Sequence, residues 1–233
     1  MKGIILAGGN GTRVRPMTKI INKSLLPIYD KPIIFYIVET LKSLKCKEIM
    51  IVSGREHAGQ IMNLLGSGLE MGVALTYRVQ EEAGGIAAAL SICESFAGDD
   101  DIAVCLGDNI FEEEFDINFK GGAHIFLKRV PDPERFGIAE VTFNEVTNIT
   151  EKPKNPKSDL CVTGLYIYDK QVWNIIKGLT PSMRGELEIT DVNNAYVKKN
   201  QMTYTLVDGF WCDAGTPSSL ALATKLIMEK KYG

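Results

Sequence analysis

The feature that most restricts the fold is an alternation: short apolar runs recur through the first half of the chain, each followed by residues at helical spacing. Ile4 to Ala7, Glu48 to Ser53, Val73 to Val79 and Ile102 to Leu106 are too short for helices, and their apolar residues run on with little alternation. They read as strands of a largely parallel sheet, with Ile4 to Ala7 the first buried one. Between them, Ile33, Ile34, Ile37, Val38, Leu41 and Leu44 share one face behind Pro32, a residue suited to a first helical turn. Glu56 to Leu65 and Ile86 to Phe96 continue the helical pattern. Strands alternating with helices predict an α/β fold with an open sheet flanked by helices.

After Asp108 the texture changes. Strands are expected at about 123–130, 137–142, 146–150 and 161–168 without long helices between them, which predicts a small antiparallel region. Helices then return at about 170–177 and 188–199, a strand follows at about 203–207, and Ser218 to Lys231 closes the chain as an amphipathic helix. With no linker or internal repeat, one domain over 1–233 is expected, with halves at about 1–110 and 111–233.

Composition narrows the function. Five cysteines, odd in number and never in C-x-x-C spacing, argue against a disulfide framework or a zinc site and read as buried thiols. Two histidines exclude a histidine-built metal cage. The apolar run after Lys2 is too short for a signal sequence or a membrane span, so the cytoplasm is the expected compartment. A net charge of −3 weighs against nucleic acid as a partner, yet residues 1–45 hold eight Lys/Arg against two Asp/Glu. That end is built for a compact anion.

Two places carry candidate chemistry. The first strand runs directly into Gly8-Gly9-Asn10-Gly11-Thr12-Arg13, a flexible turn at a strand's carboxyl end, where open α/β sheets bind ligands. Its backbone N–H groups could approach phosphate oxygens, with Arg13, Arg15 and Lys23 supplying charge. Val14 breaks a dinucleotide fingerprint, and no Gly-Lys-Ser/Thr follows for a P-loop. Gly107-Asp108-Asn109 lies at the end of another strand and reads equally as a Mg²⁺ carboxylate or as an Asx turn. Asp213 reads equally as its partner carboxylate or as a capping loop residue.

The ordered motifs resemble the sugar-1-phosphate nucleotidyltransferases over essentially the whole chain, and within them the branch that uses dTTP and glucose-1-phosphate. They are Leu6-Ala7-Gly8-Gly9-Asn10-Gly11-Thr12-Arg13, Lys23-Ser24-Leu25-Leu26-Pro27, Asp30-Lys31-Pro32, Leu106-Gly107-Asp108-Asn109, Arg135-Phe136-Gly137, Glu151-Lys152-Pro153, Thr163-Gly164-Leu165-Tyr166, Arg184-Gly185-Glu186-Leu187-Glu188 and Asp213-Ala214-Gly215-Thr216. The resemblance implies a Rossmann-like open mixed sheet whose small antiparallel region binds the sugar. It implies that Leu6, Gly8, Gly9, Gly11 and Thr12 lie against the nucleotide, that Gln80 and Gly85 read the pyrimidine, and that Arg13 and Lys23 engage the phosphates. Gly137, Glu151 and Gly164 would face the sugar, and Lys152 and Arg184 would hold its phosphate. Arg13, Lys23 and Lys152 would be the catalytic cations, and Asp108 and Asp213 the Mg²⁺ ligands, Asp108 also lying near the nucleotide sugar.

The implied reaction converts dTTP, or UTP, and a sugar-1-phosphate into a nucleotide sugar such as dTDP-glucose and pyrophosphate, a step of nucleotide-sugar biosynthesis with no covalent enzyme intermediate. Relatives carry Leu-Ala-Gln-Ala where this chain has Ile86-Ala87-Ala88-Ala89, so a methyl replaces an amide near the base. The chain also departs from the longer members of that branch in stopping soon after its last helix, so a short form lacking the extra C-terminal helices is expected, acting as a monomer or small homo-oligomer. A relative that senses nucleotide sugars without catalysis is the alternative from another class, and the retained Arg13, Lys23, Asp108 and Asp213 weigh against it.

Overall fold

The computed structural model describes residues 1–9 and 11–232; Asn10, within the first glycine turn, and Gly233 lie outside the described residues. Its strands are β1 (Lys2–Ala7), β2 (Pro27–Ile28), β3 (Lys31–Pro32), β4 (Glu48–Gly54), β5 (Ala74–Gln80), β6 (Ile102–Leu106), β7 (Asn109–Phe111), β8 (Ala123–Arg129), β9 (Gly137–Thr142), β10 (Glu145–Glu151), β11 (Leu160–Tyr168), β12 (Met202–Leu206) and β13 (Trp211–Asp213). Its helices are α1 (Ile33–Ser43), α2 (Ala58–Leu65), α3 (Ile86–Ser91), α4 (Glu94–Ala97), α5 (Gln171–Lys177), α6 (Ile189–Lys198) and α7 (Pro217–Tyr232). Among the described residues no helix is long and apolar enough to cross a membrane.

The chain forms two compact units. One holds Met1–Ala83, Ala103–Ile117 and Gly209–Gly233, and the other holds Gly84–Ile102 and Asn118–Asp208. The units therefore interleave in sequence. The chain's end rejoins the first unit through the antiparallel ladder β7–β13, which pairs Phe111 with Trp211, Ile110 with Cys212 and Asn109 with Asp213.

In the first unit the strand order is β6-β1-β4-β5, with β1, β4 and β5 parallel. Ile4, Ile5, Ile49 and Ile51 are buried along β1 and β4, as continuous apolar runs require. The expected face of α1 is realised: Ile33, Ile34, Ile37, Val38 and Leu41 are buried, and Pro32 stands one residue before the helix. Two ladders of two or three residues, β2–β3 and β7–β13, are too short to leave a periodic trace in the sequence.

In the second unit β8 to β11 form the antiparallel region that the sequence predicts. β12 differs, because it runs parallel to β8. Its chain arrives through α5 and α6, a crossover long enough to feed a parallel strand. The single helix expected from Ile86 to Phe96 is broken into α3 and α4. Ser91 Oγ donates to the Ala88 carbonyl at 2.8 Å and Cys93 N to that of Leu90 at 2.9 Å, tightening the chain between them.

His124 on β8 lies across from β12 and is 7% exposed, with Nδ1 2.8 Å from Thr203 Oγ1 and Nε2 2.9 Å from Thr205 Oγ1. Two hydroxyls satisfy a neutral imidazole, which needs one donor and one acceptor. Burial pushes its pKa down to about 4. The unfolded chain takes up the proton first, so this stabilisation is complete above about pH 6.5 and is lost as pH falls through about 4. Denaturant titrations should show the wild type losing about 3 kcal/mol more than His124→Asn between pH 7.5 and 4. Equal pH slopes in the two proteins would remove His124 as the cause.

Candidate active site

The glycine turn opens where β1 leaves the core. Leu6 is buried, and its carbonyl accepts from Gly107 N at 2.8 Å. Gly8 and Gly9 follow it outwards, with Gly9 exposed. A Cβ on Gly8 would collide with the Gln80 side chain, which places Gln80 directly over the turn. Gly11 takes a left-handed φ of 57° before the short turn Thr12–Val14, and the Thr18 hydroxyl donates to its carbonyl at 2.6 Å. Thr12 and Arg13 stand exposed on that turn.

Opposite charges meet at the end of β6. Lys23 Nζ donates to Asp108 Oδ2, both side chains being largely buried. Burial pushes the Asp108 carboxyl up, and the Lys23 ammonium, with a 2.8 Å hydrogen bond from Asn109 Nδ2, more than offsets it, so Asp108 titrates below the usual range. Asp213 is brought beside it by the β7–β13 ladder, and Ala214 N donates to the Asp108 carbonyl at 2.8 Å. Burial and then the charge of Asp108 push the Asp213 carboxyl up to about 6. Its Oδ1 is buried without a hydrogen-bond partner among the described residues. Arg13 Nη2 lies 3.9 Å from Asp213 Oδ2. A Cβ on Gly215 would stand 2.7 Å from both Arg13 Nη2 and Asp213 Oδ1, so the guanidinium passes over bare backbone there. The expected meeting of Asp108 and Asp213 is present, although Asp213 arrives on a separate two-stranded ladder and not at the end of a strand of the main sheet.

The second unit gathers the other candidates. Gly137 and Glu151 pair across β9–β10, and a Cβ on Gly137 would lie 3.3 Å from Glu151 Oε2. That oxygen accepts from Thr190 Oγ1 at 2.8 Å, which orients the carboxylate. Lys152 has φ of 43°, an uncommon conformation for a residue with a side chain, and its N donates to the Phe136 carbonyl at 2.9 Å while Nζ lies 3.4 Å from Glu151. Gly164 is buried within the interruption of the β8–β11 register between Val162 and Tyr166. Arg184 is exposed and held by carboxylates: Nη2 donates to both oxygens of Glu188 at 2.9 Å and lies 3.6 Å from Glu151 and Glu186. Gly85, expected against a pyrimidine, has φ of 93° and lies against Leu187, where a Cβ would be 2.6 Å from the carbonyl oxygen. Leu187 N donates to the Gly84 carbonyl at 2.8 Å, so the glycine turn before α3 is tied to the segment that carries Arg184.

Glu188 and Gly215 stand within the ordered motifs, and Thr190 continues the run from Arg184 two residues further on, but the sequence assigns none of the three a role. The spacing of four between Arg184 and Glu188 is the one local signal among them.

The profile of the nucleotidyl transferase family matches residues 2–230. The glucose-1-phosphate thymidylyltransferase of Neisseria meningitidis is 42% identical, the match covering 97% of this chain and 82% of that protein. The same-named protein of an Actinoplanes species is 40% identical, covering 93% of this chain and 74% of that one. A crystal structure of a Bacillus anthracis protein assigned as a glucose-1-phosphate thymidylyltransferase, in complex with sucrose, superposes with a TM-score of 0.94. It is 50% identical and covers 100% of this chain and 97% of that one. The chain belongs to the nucleotidyl transferase family. It is an enzyme of the kind these relatives are, and the resemblance carried by its ordered motifs holds, as does the α/β fold.

Gly107 tests how tightly the first group is built. A Cβ there would lie 2.5 Å from Ser24 Oγ and 2.9 Å from both Ala7 Cα and the Leu6 carbonyl oxygen. Backbone on one side cannot yield cheaply, so Gly107→Ala should destabilise the protein by about 1–3 kcal/mol in denaturant titration. Wild-type stability would show that β1 and the Lys23 turn are not packed against Gly107.

Proposed function

We propose that the chain transfers a nucleotidyl group from dTTP to glucose-1-phosphate, giving dTDP-glucose and pyrophosphate. The observation that supports it most is the pair of buried carboxylates, Asp108 and Asp213, held beside Lys23 and Arg13 at the mouth of the glycine turn. The relatives' names supply the substrate pair.

Magnesium fits these residues. Asp213 Oδ1 is buried and has no hydrogen-bond partner among the described residues, and Mg²⁺ is commonly bound through one or two carboxylates together with waters and substrate phosphates. Asp108 and Asp213 would hold it, and when bound it would supply positive charge to phosphate oxygens. The rest of the chemistry belongs to the chain. The open backbone at Gly8, Gly9, Gly11 and Thr12 can approach the nucleotide closely, and Lys23 and Arg13 neutralise its phosphates. Lys152 and Arg184 orient the sugar phosphate, while Glu151, fixed by Thr190, accepts hydrogen bonds from sugar hydroxyls beside Gly137 and Gly164. The glycine turn, Lys23 and Arg13 of the first unit are thus assigned to the nucleotide's phosphates, and Lys152, Arg184 and Glu151 of the second to the sugar phosphate. A phosphate monoester has a second pKa near about 6, so the attacking oxygen is mostly deprotonated at neutral pH and needs no general base.

The substrates are small molecules, with no nucleic acid or membrane involved, and the chain acts as a monomer or small homo-oligomer. The cytoplasm is the compartment proposed, in keeping with five buried cysteines.

Ala88 bears on the base. It is partly exposed, and a Cβ on Gly84 would lie 3.0 Å from its methyl group. An apolar contact discriminates by only about 1–3 kcal/mol, so UTP is the second substrate to weigh. A matrix of nucleoside triphosphates against sugar-1-phosphates, read by pyrophosphate release, should give the highest kcat/KM for dTTP with glucose-1-phosphate. Ala88→Gln should shift the dTTP:UTP ratio. Preference for another pair would replace the substrates named here, and no pyrophosphate release from any pair would overturn the reading.

A further inference from the structure

Lys23 is held in place by residues that flank it, and one of them has no other evident task. Asn22 is 2% exposed, and both ends of its carboxamide are used. Nδ2 donates to the carbonyl of Ala7, the last residue of β1, at 2.9 Å. Oδ1 accepts from Ser24 N at 2.8 Å and so caps the short turn Lys23–Leu25. The Ser24 hydroxyl fills the space left by the missing side chain of Gly107, the residue before Asp108. The segment Asn22-Lys23-Ser24 is thus fastened on one side to the end of β1 and wedged on the other against the residue that presents Asp108. Lys23 projects from the middle of this wedge, and its ammonium reaches Asp108.

We propose that Asn22 is a positioning residue: its carboxamide ties the Lys23 turn to the end of β1 and so sets where the ammonium stands relative to Asp108. A lysine side chain has four rotatable bonds, and its charge is useful to a developing phosphate charge only where the backbone beneath it is fixed. Replacing the carboxamide leaves the buried Ala7 carbonyl without its donor and the turn without its cap. The effect on turnover rests on the functional reading above; the effect on the ammonium does not.

The experiment therefore has two readouts. In the first, the rate of reductive methylation of each lysine is followed by mass spectrometry in substrate-free protein. Asn22→Ala should raise the rate at Lys23 at least threefold and leave Lys19 and Lys31 unchanged, and an unchanged Lys23 rate overturns the proposal. In the second, kcat and KM are measured for Asn22→Ala, Lys23→Ala and the double variant. Asn22→Ala alone should lower kcat about tenfold with each KM within about threefold of wild type, and should cost less than about twofold more once Lys23 is gone. An equal loss in both backgrounds marks a purely structural role and overturns it. Asn22→Ser, which keeps a cap but lacks the reach to Ala7, replaces Asn22→Ala if that protein does not fold and carries the same expectations. If Lys23→Ala turns over normally, the functional reading fails while the methylation rates still decide the positioning role.

Discussion

Two carboxylates buried side by side are the constraint around which the first unit is arranged. Like charges at close range in a poorly solvated place raise the pKa of one of them, and Asp213 is the one pushed up to about 6. Lys23 settles the charge of Asp108 at direct contact, while Arg13 stands at 3.9 Å on a side chain that is 60% exposed and contributes little stability there. Among the described residues one buried oxygen of the cluster, Asp213 Oδ1, accepts no hydrogen bond, an arrangement suited to a ligand that brings a cation with it. Its placement follows from the sheet: Asp108 leaves β6 beside the end of β1, and the β7–β13 ladder returns the distant Asp213 to the same spot.

The second unit solves the opposite problem. Arg184 and Lys152 are cations that stand among carboxylates of Glu151, Glu186 and Glu188. Exposed pairs of this kind add little to stability, so their value lies in orientation. The bidentate grip of Glu188 fixes the plane of the guanidinium, and Thr190 fixes the carboxylate of Glu151. A phosphate dianion entering here would compete with carboxylates for donors already aligned.

Much of this was legible in the sequence, and the exceptions have physical reasons. Buried strands and the face of α1 announce themselves because each buries a run or a stripe of apolar residues. The glycine turn was visible because it follows such a strand directly. The contact of Lys23 with Asp108 joins residues 85 positions apart, and the ladder that delivers Asp213 is three residues long. Neither leaves a periodic signal. Gly85 shows a different limit: the sequence registers that a glycine is there, whereas the crossing of Leu187 against it, which demands that glycine, belongs to tertiary packing. The return of the last residues to the first unit is of the same kind, because the ladder β7–β13 that carries them there is too short to show in the sequence.

The central claim is that Asp108 and Asp213 act on one and the same cation, and a double-mutant cycle on turnover tests it most directly. Pyrophosphate release at saturating substrates and Mg²⁺ is measured for Asp108→Asn, Asp213→Asn and the pair. The account predicts that each single change lowers kcat by about 100-fold or more, and that the double variant lies within about threefold of the worse single, because either change disables the same ion. Losses that multiply in the double variant, or a single variant that keeps wild-type turnover, would contradict it.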